Sequence, residues 1–188
     1  MKSTKLKKLI LSAMFLAIGL ILPFFTGQIP AIGKMLLPMH IPVLLCGLIC
    51  GWQCGLLVGF LLPLMRSFLF AIPVMYPAAV AMAFELASYG LLSGLLFGRS
   101  RWQCIRSLYH CLLLAMLGGR LVWGIVEVLL LGIGTDGFTW SAFLSGAFLN
   151  AIPGIILQLV LIPGVMLTLD KTHLVPFRRQ KAKDCYVL

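Results

Sequence analysis

Six apolar runs, each near the length that crosses a lipid hydrocarbon core, divide this sequence, and most of its charge lies between or beyond them. A helix needs about 20 apolar residues to span that core, with shorter spans possible at some cost. The runs predict helices over 9–25, 36–50, 56–72, 76–97, 108–133 and 143–169. The second is short and begins near Pro38 and Pro42, so an irregular start is expected there. Of the 188 residues, 61% are hydrophobic and 11% are charged, against about 25% charged in a soluble domain. One water-facing globule of this size cannot bury so much apolar surface. The composition excludes a soluble enzyme, a nucleic-acid-binding module and a disordered chain. The expected fold is all-α: a polytopic membrane protein, six transmembrane helices in one bundle, with residues 1–188 forming a single integral membrane domain.

The formal charge of +10 would suggest a nucleic-acid partner in a soluble chain, but placement matters more than the total. Lys2, Lys5, Lys7 and Lys8 precede the first run, and Arg99, Arg101 and Arg106 separate the fourth from the fifth. Lys171, Arg178, Arg179, Lys181 and Lys183 follow the sixth. Basic clusters at helix ends mark cytoplasmic loops. An even number of crossings puts all three clusters on one side, with both termini cytoplasmic. The first run has a basic start, but Pro23, Phe24 and Phe25 end it without a small-residue cleavage site, so it is expected to be retained. The tail over 171–188 is expected to lie on the cytoplasmic membrane surface.

Catalytic signatures are missing from the sequence. It holds no HExxH zinc helix, no GxSxG elbow and no Gly-rich phosphate cradle. The chain reads as a non-enzyme without a cofactor or metal, and ATP-driven work would need a partner. Cys46, Cys50 and Cys54 follow at four-residue spacing, with Cys104, Cys111 and Cys185 elsewhere. They could hold a soft metal ion, but no His or carboxylate completes a ligand set nearby, and small packing residues are the plainer reading. Small-residue ladders recur: Ala13 and Ala17, Ala79, Ala83 and Ala87, Gly47 to Gly59, and Gly90, Gly94 and Gly98. Such ladders let helices approach closely in lipid, either inside the bundle or against another membrane protein.

The polar residues within the runs are the informative ones, because a charge at the bilayer centre costs about 2.5–3.5 kcal/mol and usually has a task. They are Arg66, Glu85, Arg120 and Glu127, with Asn150 and Gln158 as neutral companions. Lys34 and His40 stand at the outer start of the second run. Arg120 and Glu127, seven apart, share a helix face. These groups gather in the outer half, whereas the inner half is nearly pure Leu, Ile and Gly. The asymmetry describes a cup open to the outside: Arg66, Glu85, Arg120 and Asn150 as ligand contacts, Lys34, His40 and Trp123 at the rim, and Glu127 nearby. Trp140, Tyr76 and Tyr89 are further lining candidates. Two buried Arg and a Lys suit a ligand with an anionic part. The structural alternative is that Arg66–Glu85 or Arg120–Glu127 merely neutralise each other. The Thr26–Leu36 loop reads either as a lid or as a connector.

Several segments together carry a family resemblance. They are Ala13-Met14-Phe15-Leu16-Ala17, LPMHIPVLLCGLICGWQCGLLVGFLLPLMRS from Leu37 to Ser67, MAFELASYGLLSG from Met82 to Gly94, GGRLVWG from Gly118 to Gly124, and PGIILQLVLIP from Pro153 to Pro163. Over about residues 6–170 the chain resembles the substrate-binding S-component of energy-coupling factor (ECF) vitamin transporters, in the branch that includes folate and pantothenate carriers. The resemblance implies a six-helix bundle in the bacterial cell membrane that captures a vitamin or related small molecule near its outer face. It also implies a membrane coupling subunit driven by two cytoplasmic ATPases, with Ala13 and Ala17 as the docking positions. A structural or assembly membrane protein, and a stand-alone carrier without ATPase partners, are the competing functions.

Overall fold

A computed structural model describes residues 2–25, 38–100, 105–131 and 152–171. These form α1 (Lys2–Phe25), α2 (His40–Cys50), α3 (Trp52–Phe70), α4 (Val80–Arg99), α5 (Ile105–Leu131) and α6 (Ile152–Lys171), with a wide π-type turn over Met75–Ala79 leading into α4. Among the described residues there is no strand. Five helices are long and apolar enough to cross a membrane. The exception is α2, where the sequence predicts a span over 36–50. Its described part is an 11-residue helix, about 16 Å at 1.5 Å per residue, preceded by a turn at Pro38 and Met39. Other starts differ too: α1 starts at Lys2, α3 at Trp52 and α5 at Ile105, ahead of the expected 9, 56 and 108, and α4 at Val80, after the expected 76. Apolar counting misses the α3 and α5 starts because Gln53, Arg106 and Ser107 are polar but lie within the first turns.

The short helix is the centre of the bundle. All of α2 except Ile49 is buried, so neither water nor lipid touches most of it. α1, α3, α4 and α6 surround it. Gly51, at φ +100°, separates α2 from α3 by a single residue. That backbone region is open to glycine and strained for other residues. The Gly51 N–H donates to Gly47 O at 3.1 Å, and Gly55 N–H to Gly51 O at 3.0 Å, so the junction keeps its backbone bonds.

Glycine sets the spacing of α2, α3 and α4. A Cβ on Gly59 would strike the Leu86 carbonyl, one on Gly90 the Gly55 backbone, and one on Gly94 would stand 2.6 Å from Trp52 Cα. Most of these small-residue positions are therefore internal contacts, as are Ala79, Ala83 and Ala87, all buried. The pairing 55 with 90 and 59 with 86 makes α3 and α4 antiparallel. α5 runs back along α4, since Gly119 meets the Tyr89 ring and Gly118 meets Leu92. α1 lies antiparallel to α2, with Gly19 against Leu62 and Pro42 and Ser12 Oγ 3.8 Å from Cys46 Sγ.

The basic clusters follow from this register. Lys8 lies over the Gly51 junction, its Nζ 4.0 Å from where a Gly51 Cβ would be. Arg99 ends α4 beside Ser100, whose hydroxyl is 2.7 Å from that of Ser107. The first two clusters therefore share one end of the bundle. Phe24 against Phe70 and Tyr76 OH donating to Leu130 O at 2.7 Å mark the other. The Thr26–Leu36 loop, Lys34, Trp140, Asn150, Cys104 and the tail after Lys171 lie outside the described residues.

Gly90→Leu should lower the thermal unfolding midpoint in detergent by several degrees, because overpacking a close contact costs about 1–3 kcal/mol. Gly98→Leu, which has nothing within 4 Å of its Cβ position, should leave the midpoint unchanged.

Candidate functional site

Glu85 lies about 8 Å into α4 from its start and about 21 Å from Arg99, in the half of the bundle away from the basic ends. Its side chain is 3% exposed, so its charge has to be met by protein. Arg120 Nη1 from α5 stands 3.1 Å from Glu85 Oε1, and Tyr89 OH donates to the same oxygen at 3.0 Å. His40 Nε2 is 3.6 Å from it, outside hydrogen-bond reach. The His40 ring stacks edge-on to Tyr89 with centroids 5.1 Å apart. Three helices thus meet on one carboxylate. His40 reaches it because α2 begins at that depth, so this histidine is 1% exposed and part of the core rather than the rim.

The ion pair differs from both pairings that the sequence suggests. Arg120 and Glu127 share a face but are separated by about 10 Å of helix rise, too far to pair. The antiparallel register sets Arg66 opposite residue 79, about 9 Å along α4 from Glu85. Arg66 instead donates from Nε to the Ile72 carbonyl at 3.1 Å. The sequence names the right carboxylate and the right arginine without the register that joins them. Tyr89, counted only among the linings, is a direct partner, and its i+4 spacing from Glu85 is the signal that could have placed it.

What stays open at this cluster is chemically specific. Among the described residues, Arg120 Nε and Nη2, both His40 ring nitrogens, Glu127 Oε2 and Gln158 Nε2 are buried without a hydrogen-bond partner. The Nε–H and one Nη2–H of a guanidinium point the same way and form its two-pronged edge. Arg120 holds Glu85 through Nη1 and leaves that edge unused. Two parallel donors of this kind match the two oxygens of a carboxylate or phosphate. Leaving a buried polar group unpaired costs about 1–3 kcal/mol, and Arg120 and His40 bring several such atoms to one carboxylate. Glu127 supplies an acceptor on the same face of α5 as Arg120, and Trp123, half-buried, lies between them in sequence. Among the described residues, Cys46, Cys50 and Cys111 are buried free thiols and Cys54 is half-buried, and Cys46 lies beside Ser12, toward the basic end.

Removing one partner of a buried ion pair strands the other and costs about 3–5 kcal/mol, whereas replacing both by apolar residues is often nearly neutral. Glu85→Leu should therefore destabilise the bundle strongly. Glu85→Leu with Arg120→Leu should recover most of the loss, as read by thermal unfolding in detergent.

A family model described as ECF transporter, substrate-specific component matches residues 7–166. Neither curated proteins nor solved structures give a match. The matched span includes most of α1, all of α2 to α5, most of α6 and the whole Glu85 cluster. With five helices of membrane-crossing length, the chain is a multi-pass membrane protein, a transporter subunit and not an enzyme, and it belongs to the substrate-specific components of ECF transporters.

Proposed function

We propose that this subunit captures a vitamin-sized small molecule bearing a carboxylate or similar oxyanion, and that the molecule docks on the open edge of Arg120. The observation carrying this reading is that edge, buried and unpartnered while the same guanidinium is held in place by Glu85. His40, Glu127 and Trp123 complete the contact set, with Gln158 as a donor from α6, and Lys34 and Asn150 remain contacts proposed from the sequence. Arg66 is left out, because its Nε serves Ile72 and its register differs. The vitamin class and the folate- or pantothenate-like branch rest on sequence resemblance. The ligand-facing end is the outer one in this reading, because the lysines at the start of α1, Arg99 at the end of α4 and Arg106 at the start of α5 gather at the opposite end, which the charge rule assigns to the cytoplasm. Both termini are then cytoplasmic in a bacterial plasma membrane, and the buried, short α2 stands as the second of six helices in this reading.

Delivery inward falls to the ECF coupling module: a membrane coupling subunit and two ATPases in this reading. Ala13 and Ala17 are the proposed docking positions. Both are exposed, on a face of α1 that also presents Ile10, Met14 and Ile21 to its surroundings. A small-residue pair on an outward face can accept a partner helix closely.

Arg120→Lys keeps the charge opposite Glu85 but removes the two-pronged edge. Losing hydrogen bonds to a charged ligand group costs about 1.5–3 kcal/mol, or about 10–150-fold in affinity. Native mass spectrometry of protein purified gently from cells should show a small-molecule adduct on the unmodified chain and much less on Arg120→Lys. Equal adduct on both removes Arg120 from the site. A bare mass for both, repeated after a vitamin panel, favours the structural role of the pair. Ala13→Trp with Ala17→Trp should abolish co-purification with the coupling module and leave the adduct unchanged. Retained assembly would refute the docking positions.

A further inference from the structure

Two of the helix connections differ in sequence in a way that points to their surroundings. The connection between α4 and α5 carries Arg99, Arg101 and Arg106. The connection between α3 and α4 has no charge at all: the eighteen residues between Arg66 and Glu85 contain none, and only Ser67 and Tyr76 bear polar side-chain groups. Its side chains nonetheless point outward. Phe68 is 82% exposed, Val74 68%, Tyr76 59% and Leu69 55%, with Ile72 and Met75 at 44%. In water this would be an unusually large apolar patch at a turn, where polar residues normally stand.

The backbone here is also guarded. Ala71 N–H donates to Ser67 O at 2.9 Å and Ala79 N–H to Val74 O at 3.0 Å. Arg66 Nε covers the Ile72 carbonyl, and Tyr76 turns its hydroxyl onto Leu130 O. Pro73 and Pro77 have no N–H to satisfy. Fewer bare polar groups make it less costly to place a non-helical segment near hydrocarbon. The exposed residues continue the outward face of α3, where Leu57, Leu61, Met65, Phe68 and Leu69 are exposed.

We infer that the Phe68–Tyr76 connection is seated in the lipid interface at its end of the bundle, with Phe68, Ile72, Val74 and Met75 in the acyl boundary and Tyr76 at headgroup level. Its occupant is lipid, and the segment is a monotopic wedge rather than a water-facing loop. Arg66 is then a positioning residue that shields a backbone carbonyl from hydrocarbon.

The test is a nitroxide side chain in place of Val74, or separately of Phe68, in the full chain reconstituted into phosphatidylcholine–phosphatidylglycerol vesicles. Collision with oxygen reports lipid, and collision with a water-soluble nickel chelate reports water; the same label in place of Arg99 is the aqueous reference. The expected result at both sites is a several-fold higher ratio of oxygen to nickel collisions than at position 99. A ratio like that at position 99 would overturn the proposal. Low collision with both reagents would also overturn it, since protein, such as a second copy, would then cover the segment. Both sites are already exposed, so the labels need no repacking, and the result does not depend on what Arg120 binds.

Discussion

A carboxylate enclosed by helices has to be neutralised locally, and Glu85 is neutralised by Arg120 across the α4–α5 contact. Each charge makes the other tolerable in a medium where either alone would be expelled or titrated. The rest of the described structure can be read as the conditions for that meeting. α4 and α5 must lie antiparallel, with Gly119 against the Tyr89 ring, so that residues 85 and 120 reach the same depth. α2 must begin within the bundle so that His40 arrives at the same place. Tyr89 adds a neutral donor to the same oxygen, which lets the carboxylate hold two partners while the arginine keeps two donors to offer.

Holding an arginine in this way is different from merely burying one. A guanidinium fixed by one nitrogen presents the others at a set angle, so less freedom is lost when an oxyanion arrives. In the proposed function the pair is both a structural tie and a preorganised receptor, and the two roles use different nitrogens of one side chain.

Much of this was legible in the sequence, and the remainder shows what one sequence leaves out. Apolar run length gives the helical class and places the five described helices of membrane-crossing length, because lipid imposes a minimum length on each. Cost in hydrocarbon picks out Glu85 and Arg120 before any contact is known. Register is invisible to both arguments. It depends on which glycine faces which backbone, as Gly55 faces Gly90 and Gly59 faces Leu86, and nothing in the spacing of charges encodes it. That is why the sequence pairs Glu85 with Arg66 and Arg120 with Glu127, whereas the fold joins Glu85 to Arg120. α2 was misjudged for a related reason: hydropathy counts apolar residues without knowing that a helix surrounded by protein has no need to match the bilayer. His40 then reads as a rim residue, although it sits as deep as the carboxylate.

The glycine contacts among α2, α3 and α4 have a mechanical side. Contacts between long side chains can adjust by changing rotamers, but contacts between backbones have no rotamers to change. With one residue at Gly51 joining α2 to α3, and both pressed onto α4 through main-chain atoms, these three helices form a stiff block. α1 and α5 meet this block through side chains, Gly19 against Leu62 and Gly119 against the Tyr89 ring, contacts that rotamer changes can adjust. Arg120 belongs to α5 and Glu85 to the block, so their ion pair crosses the boundary between backbone-locked helices and a helix seated through side chains.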